Sequence, residues 1–372
     1  MSFKTLFIPP FLLVFFQLNA QECIDPQATP ETQKLFRNLY TLSGKKIFFG
    51  HQDDPAYGVG WAYEDGRSDI RDVTGEFPAV YGFDLGRIEL KQDHNLDQVP
   101  FIKTKQYIRE AYARGGVITL SWHLNNPLTG GTAWDNKGGA VASILPGGEK
   151  NALYSEWLDQ VADFLGDLKG KNGEYIPVIL RLFHELNGGW FWWGKDQCSP
   201  DDLKKLWQFT IHYLKDRKEV HHLLYAYNTD RFNSISEWLE RYPGDEWVDI
   251  AGFDIYQAND IKENSSFAAF FEKDLNMLDS IAILHHKIPA LTEFGYNRVP
   301  DSNWWTHVFL PVIERHRVIY ALAWRNSGTP EKGKADFYVP YRDQGSSADF
   351  RKMYESGKIL FEKGIQSENI YK

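Results

Sequence analysis

Residues 177–185 read Pro-Val-Ile-Leu-Arg-Leu-Phe-His-Glu, an apolar run that ends in two polar side chains. Strands buried on both faces, as parallel strands are, show near-continuous apolar runs of this length. Seven further runs follow the same pattern: Lys46–Gln52, Pro78–Leu85, Val117–His123, His222–Thr229, Asp249–Tyr256, Ile288–Gly295 and Val318–Arg325. The sequence therefore predicts eight buried parallel strands.

Amphipathic stretches between these runs predict helices. They are Thr29–Leu42, Asn95–Arg114, Ala152–Lys169, Pro200–Glu219, Ser234–Arg241, Ser265–His285, Ser302–His316 and Ser347–Glu362. Strands that alternate with helices in this way indicate an α/β protein with one (β/α)₈ TIM barrel. A doubly wound sheet also alternates, but no glycine fingerprint follows the first strand. Long loops are expected after strands 3 and 8, at 124–150 and 326–345, on the rim where barrel active sites lie.

The composition excludes several classes of protein. Hydrophobic residues make up 43% of the chain and aromatic residues 15%, whereas disordered chains are poor in both. The formal net charge of −9 argues against a nucleic-acid partner, which needs a basic face, and against docking on an anionic membrane. A globular protein with a large core remains.

The amino terminus has the pattern of an export signal. Met1–Ala20 combines an early Lys4, a short apolar centre and a small final residue, and its apolar run is too short to span a bilayer. We therefore expect an exported protein, periplasmic or secreted, whose catalytic domain covers 21–372. Cys23 raises the alternative of a lipid anchor, although the residues before it match such a signal poorly. In an oxidising compartment Cys23 and Cys198 could pair or remain free thiols.

Two carboxylates at predicted strand ends suggest the chemistry. Glu185 ends the fourth strand and Glu293 lies near the end of the seventh, so the two face each other across the barrel mouth. Cleavage of a glycosidic bond uses two carboxyl groups, one to protonate the leaving oxygen and one to attack or to activate water. A single glutamate at a strand end is more often a capping or salt-bridge residue. As a pair among histidine, tyrosine and tryptophan side chains, they favour glycoside hydrolysis.

The aromatic residues suggest the substrate class. Residues 186–194 read Leu-Asn-Gly-Gly-Trp-Phe-Trp-Trp-Gly, which is hard to place in a core. Because sugar rings have apolar faces and polar edges, we expect at least one of Trp190, Trp192 and Trp193 to stack on a sugar, with loop packing as the alternative. Nine of the 13 tryptophans follow or end predicted strands and suggest a lined groove: Trp61, Trp122, Trp134, Trp190, Trp192, Trp193, Trp304, Trp305 and Trp324.

Residues 181–194 resemble the acid/base segment of glycoside hydrolase family 26, the β-mannanase family. Thr292–Gly295 resembles its nucleophile segment, and further similar segments are Gly50–Gln52, Trp122–His123, Gly252–Tyr256 and Trp324–Arg325. The resemblance implies a barrel of the retaining clan, with the acid/base on strand 4 and the nucleophile on strand 7. Glu185 would then be the acid/base and Glu293 the nucleophile.

The resemblance also implies roles for residues around the pair. His184 would help to hold the nucleophile and the sugar, Tyr256 would hydrogen-bond the nucleophile, and Asp254 would support that rim. The residues expected to line the substrate subsites are His123, Trp134, Trp190, Trp324 and Arg325.

The function implied is that of a retaining, endo-acting β-1,4-mannanase that cuts mannan or galactomannan to short oligosaccharides. Alternatives are a relative acting on β-1,3-xylan or mixed-linked β-glucan, one releasing mannobiose from chain ends, and a non-catalytic glycan-binding barrel. We expect a monomer without cofactor or metal. A zinc-peptidase motif is excluded, because Gly188 stands three residues after Glu185, where that motif needs its second histidine.

Overall fold

Eight parallel strands form a closed barrel in the computed structural model, which describes residues 22–258, 260–329 and 333–372. The predicted export signal lies outside the described residues. The barrel strands, in the order in which they pair, are β1 (Phe48–Gln52), β4 (Val80–Asp84), β5 (Val117–Ser121), β6 (Val178–Arg181), β7 (Leu223–Thr229), β8 (Ile250–Gln257), β9 (Ile288–Tyr296) and β10 (Tyr320–Ala323). The last of these pairs again with the first, so the predicted (β/α)₈ barrel is confirmed.

Two short strands were not predicted from the sequence. β2 (Tyr57–Gly58) and β3 (Trp61–Ala62) form an antiparallel hairpin on the rim after β1. The chain reverses through Gly60, whose φ of 81° suits a residue without a Cβ. Strands of two residues lack the alternating pattern by which longer strands are recognised.

The fourth barrel strand ends earlier than predicted. β6 stops at Arg181, and both Phe183 and Glu185 have left-handed backbone conformations, with φ of 43° and 52°. The segment between β6 and the tryptophan-rich loop therefore turns sharply instead of continuing as a strand. This turn decides where the side chain of Glu185 lies.

Helices fill the connections between strands. They are α1 (Pro30–Leu42), α2 (Asp69–Thr74), α3 (Phe101–Ala113), α4 (Ala140–Ile144), α5 (Asn151–Gly166), α6 (Pro200–His212), α7 (Ile235–Leu239), α8 (Asn264–His285), α9 (Leu310–Ile313), α10 (Ser347–Glu355) and α11 (Glu362–Glu368). Side-chain oxygens of Thr29, Ser68, Ser199 and Ser234 cap α1, α2, α6 and α7 by accepting from backbone N–H groups. Short α2 and α4 were not predicted.

Three predicted helices have different bounds. The helix predicted from Asn95 begins at Phe101, because the Asn95 side chain accepts from the backbone N–H groups of Asp97 and Val99 and holds a turn there. The one predicted over 302–316 is a π-helical turn, Trp305–Phe309, followed by α9. The one predicted over 347–362 divides into α10 and α11.

The core has two parts. Inside the barrel, Val80, Ile179, Leu224 and Leu322 pack together with apolar residues of α1. Outside it, a larger cluster fills the space between the strands and the surrounding helices. Because the barrel interior is filled with side chains, the site must lie at the carboxyl ends of the strands.

Neither cysteine is in a disulfide. The buried Cys23 donates its Sγ hydrogen to the carbonyl of Asp25 at 3.4 Å, and Cys198 lies 3.5 Å from the carbonyl of Trp193. Of the two alternatives left open by the sequence, the structure has free thiols. Within the described ranges, no helix combines the length and the apolar character that crossing a membrane requires.

Candidate active site

Three carboxylates meet at the mouth of the barrel. One oxygen each of Glu185, Asp254 and Glu293 lies within 4.8 Å of the others. Retaining glycoside hydrolases hold their two carboxyl groups ~5–5.5 Å apart and inverting ones ~6.5–9.5 Å. The short separation of Glu185 and Glu293 therefore fits the closer arrangement.

An irregularity between β8 and β9 sets the position of Glu293. The register shifts between Phe253 and Asp254, so that Leu291 pairs with Phe253 but Glu293 pairs with Asp254. The extra residue is Thr292, whose hydroxyl donates to Asp254 Oδ1 at 2.7 Å. A bulge of this kind re-aims side chains, and here it sets two carboxylates side by side.

Arg181 neutralises these two carboxylates. It is 1% exposed, and its guanidinium donates to Asp254 Oδ2 at 2.8 Å and to Glu293 Oε2 at 2.5 Å. Asp254 also accepts from Asn228 Nδ2 at 2.8 Å, and the hydroxyl of Tyr256 donates to the other oxygen of Glu293. A carboxylate held by one cation and one hydroxyl, as Glu293 is, is fixed in orientation.

Glu185 has the opposite environment. Burial raises its pKa well above the ordinary value, and the negative fields of Asp254 and Glu293 raise it further. The only hydrogen bond to its carboxyl group among the described side chains comes from Trp190 Nε1, at 2.7 Å from Oε2. The two neighbouring carboxyl groups thus have different surroundings: Glu293 contacts a cation, whereas Glu185 lies near two other carboxyl groups.

Two histidines lie beside the carboxylates. His123 Nε2 is 3.0 Å from His184 Nε2, and His123 Nδ1 is 2.7 Å from Asp84 Oδ2. The ring of His123 stacks on that of Trp134 at 5.3 Å between centroids, and it lies 6.3 Å from that of Trp324. The structure therefore brings three of the predicted subsite residues, His123, Trp134 and Trp324, into one group with His184.

The predicted subsite residue Arg325 lies on the same rim. Arg325 follows β10 and forms an ion pair with Asp97 at 3.1 Å. Asp53 lies near Arg325 and Asp97 and accepts a hydrogen bond from the hydroxyl of Tyr57. Its backbone is left-handed, with a φ of 53°. These contacts place a cation and several hydrogen-bonding groups beside the stacked aromatic rings.

The prediction of an aromatic-lined groove is only partly right. Trp192 and Trp193 are fully buried, and their indole N–H groups donate to the carbonyls of Leu124 and His184. They belong to the core, where the sequence argument did not place them. The buried members of the predicted set also include Trp61, Trp122, Trp304 and Trp305, so the sugar-facing candidates are Trp134, Trp190 and Trp324.

Sequence reasoning assigned no role to Arg181, Asn228 or Asp84. Arg181 had a detectable signal, because a charged residue inside an otherwise apolar strand must find a partner when buried. The partners themselves could not be identified from the sequence, since they depend on which residues of β8 and β9 point towards Arg181.

The same three carboxylates are the one group of acidic, histidine or cysteine side chains, within the described ranges, whose spacing would allow a shared metal ion. Arg181 already supplies the positive charge between Asp254 and Glu293. Asp254 and Glu293 therefore already have a positive partner within the protein.

A (β/α)₈ barrel with two carboxyl groups close together at its mouth, one of them paired with a cation, has the architecture of a glycoside hydrolase. A model of glycosyl hydrolase family 26 matches residues 24–291, and the chain belongs to this family.

Solved structures and sequence relatives agree with this assignment. A GH26 β-mannanase from Bacteroides ovatus has a TM-score of 0.87 and 47% identity, over 92% of this chain and 98% of that one. The mannan endo-1,4-β-mannosidase of Bifidobacterium adolescentis is 34% identical over 92% of this chain, which spans only 36% of that larger protein. The enzyme of the same name from Bacillus subtilis is 28% identical, over 72% of both chains.

Proposed function

We propose that the protein is a retaining, endo-acting β-1,4-mannanase that cleaves mannan or galactomannan into short manno-oligosaccharides. The observation that carries the proposal is the pair Glu185 and Glu293, within 4.8 Å of each other and in opposite electrostatic surroundings. The names of the similar proteins support mannan as the substrate.

The reaction proceeds by double displacement. Glu293, oriented by Arg181 and Tyr256, attacks the anomeric carbon while Glu185 gives its proton to the leaving oxygen. A glycosyl ester on Glu293 forms, and the leaving sugar departs. Glu185, now ionised, removes a proton from water, which attacks the anomeric carbon and restores both carboxyl groups with net retention.

The raised pKa of Glu185 predicts the alkaline side of the pH profile. Glu185 must be protonated to act as the acid, so activity is present below its raised pKa and is lost as the pH rises through it. The hydrogen bond that Trp190 donates to Glu185 favours the ionised form of Glu185. Its loss in Trp190→Phe should therefore move the alkaline limb of the pH profile to higher pH. A limb that stays in place would contradict the assignment of Glu185.

The acid/base role can be tested with leaving groups of different quality. Glu185→Ala should lose most activity on mannan but retain far more on an aryl mannobioside whose leaving group needs little protonation. Glu293→Ala should lose both activities, which makes it the matched control. If the aryl substrate gains no advantage in Glu185→Ala, Glu185 is not the acid.

Substrate and product analysis tests the specificity. Incubation with mannan, galactomannan, mixed-linked β-glucan and β-1,3-xylan, followed by product sizing, should give manno-oligosaccharides of several lengths from the first two only. Release of mannobiose alone would indicate attack from chain ends. Proton NMR of the first products should show the β-anomer, whereas initial α-anomer would exclude retention.

We also propose that the protein is exported after cleavage behind Ala20 and acts as a monomer. The export pattern of Met1–Ala20 supports the first statement. The burial of Cys23 argues against a lipid anchor at that thiol in the folded chain. Amino-terminal sequencing of the protein from the cell exterior or periplasm, and light scattering of the purified chain, test the two statements.

A further inference from the structure

Asp84, at the carboxyl end of β4, is a fully buried carboxylate that the reaction described above does not use. It accepts hydrogen bonds from Ser121 Oγ at 2.6 Å and from the backbone N–H of Gly86 at 2.6 Å. Its third partner is His123 Nδ1, at 2.7 Å from Oδ2. An ionised carboxylate only accepts, so the Nδ1 of His123 must carry a hydrogen.

The second nitrogen of His123 faces another histidine. His123 Nε2 and His184 Nε2 lie 3.0 Å apart, and a hydrogen bond between two such nitrogens requires a hydrogen on one and a lone pair on the other. If His123 is protonated on both nitrogens, it donates and His184 must carry its hydrogen on Nδ1. If His123 is neutral, the direction reverses and His184 Nδ1 is bare.

His184 Nδ1 is therefore the informative atom. His184 is 1% exposed, and its Nδ1 has no hydrogen-bond partner among the described residues. His184 directly precedes Glu185 in the chain. Because this nitrogen has no other partner in the described structure, its protonation depends on the direction of the hydrogen bond from His123.

We propose that Asp84 is a positioning residue: by accepting the Nδ1 hydrogen of His123, it directs the His123–His184 hydrogen bond and so fixes the tautomer and the ring of His184, the residue next to Glu185. This inference rests on the proposed function and adds to it a residue that does not touch the substrate.

The charges around the two rings support this direction. Burial alone would lower the pKa of His123, but the contact with Asp84 and the field of Glu293 raise it above its ordinary value despite the opposing charge of Arg181. Burial, Arg181 and His123 together lower the pKa of His184 well below its ordinary value. The described charged groups that interact with the pair are Asp84, Asp97, Arg181 and Glu293.

The consequence for the reaction is a dependence on pH that Asp84 controls. An opposite charge in contact shifts a pKa by ~1–3 units, so loss of the Asp84 charge should let His123 become neutral at a pH lower by that amount. In Asp84→Asn, kcat/KM on mannan should be at least about tenfold below wild type at pH 7 and should approach wild type at pH 5.

The tautomers can be observed directly in ¹⁵N-histidine-labelled protein by long-range ¹H–¹⁵N NMR. The signals of the two rings are identified by their disappearance in His123→Gln and His184→Gln. In wild type at pH 6, His123 should carry hydrogens on both nitrogens and His184 on Nδ1. In Asp84→Asn at the same pH, His123 should be neutral and His184 should carry its hydrogen on Nε2.

Two control variants separate charge from packing. Asp249→Asn removes another buried carboxylate, at the opposite end of the barrel, which accepts from the backbone of Ile24 and Tyr225. Ser121→Ala loosens Asp84 without removing its charge. Both should keep the wild-type tautomers and pH profile.

An unchanged His184 tautomer in Asp84→Asn, or a wild-type His184 with its hydrogen on Nε2 at pH 6, overturns the proposal. The second result is accessible even if Asp84→Asn does not fold. A wild-type protein that is inactive on every glycan would refute the proposed function instead, while the NMR result would still decide the role of Asp84.

Discussion

Replacing Arg181 by Met should make the stability of the protein fall more steeply with rising pH than that of the wild type. The guanidinium is the only described cation that donates to Asp254 and Glu293, and one oxygen of each lies within 4.8 Å of the other. Two unit charges at that distance repel by about 3.5 kcal/mol at an effective dielectric constant of ~20. That repulsion corresponds to about 2.5 pKa units, which the variant would relieve by binding one proton.

The direction in which the stability of the variant changes with pH follows from proton linkage. In Arg181→Met the folded state holds a carboxyl group with a raised pKa, so it binds more protons than the unfolded chain between about pH 4 and the raised value. Its stability is therefore highest near the unfolded pKa and falls as the pH rises. Breaking a buried ion pair costs ~3–5 kcal/mol, so we expect a deficit of that size at pH 7.5 that shrinks by about 2–3 kcal/mol at pH 4.5.

Urea denaturation of the wild type and the variant at these two pH values measures the deficit. Arg241→Met is the matched control, because Arg241 is 3% exposed but donates to the carbonyls of Lys195 and Cys198 and to the exposed Glu240. Its deficit should be the same at both pH values. A pH-independent deficit in Arg181→Met as well would refute the reasoning, since the two carboxylates would then not be coupled through Arg181.

Three further changes test single contacts. Tyr256→Phe removes the hydroxyl that donates to Glu293. A hydrogen bond to a charged group contributes ~1.5–3 kcal/mol, so kcat should fall by about 10- to 150-fold. A fall of less than threefold in steady-state assays would show that the hydroxyl does not support Glu293 in the reaction. Trp192→Ala opens a cavity and should cost ~3–5 kcal/mol in urea denaturation, whereas a cost under 1 kcal/mol would show that the ring is not core. Burial raises the pKa of Glu89 to about 7, so its ionisation opposes folding by up to about 3 kcal/mol as the pH rises from 5 to 8. Glu89→Gln should therefore flatten the decrease in melting temperature over this pH range. An unchanged slope would contradict the raised pKa of Glu89.

The strands and the two carboxylates were predictable because their signals are local. An apolar run of seven to nine residues marks a buried parallel strand, and its last residues must lie at the rim. Glu185 and Glu293 could therefore be assigned to the barrel mouth without knowledge of the packing. The bulge at Thr292, which aligns Glu293 with Asp254, has no comparable pattern in the sequence.

The aromatic loop was misjudged because its environment comes from distant parts of the chain. Trp192 donates to the carbonyl of Leu124, and Trp207 of α6 lies 6.3 Å from the ring of Phe183. Glycines beside tryptophans suggested an open loop, but here they permit a tight one: a Cβ at Gly194 would lie 2.1 Å from the carbonyl oxygen of Gly188. Local composition cannot distinguish these two cases.

The buried tryptophans have a consequence for catalysis that a sugar platform would not have. Phe183 and Glu185 both adopt left-handed backbone conformations, which cost of order 1–3 kcal/mol each in residues with a Cβ. The ring of Phe183 packs against those of Trp192 and Trp193 at 6.4 and 6.1 Å, and Trp193 donates to the carbonyl of His184, between the two strained residues. The aromatic loop thus offsets the strain of the turn after β6, and that turn is what brings the carboxyl group of Glu185 to Glu293.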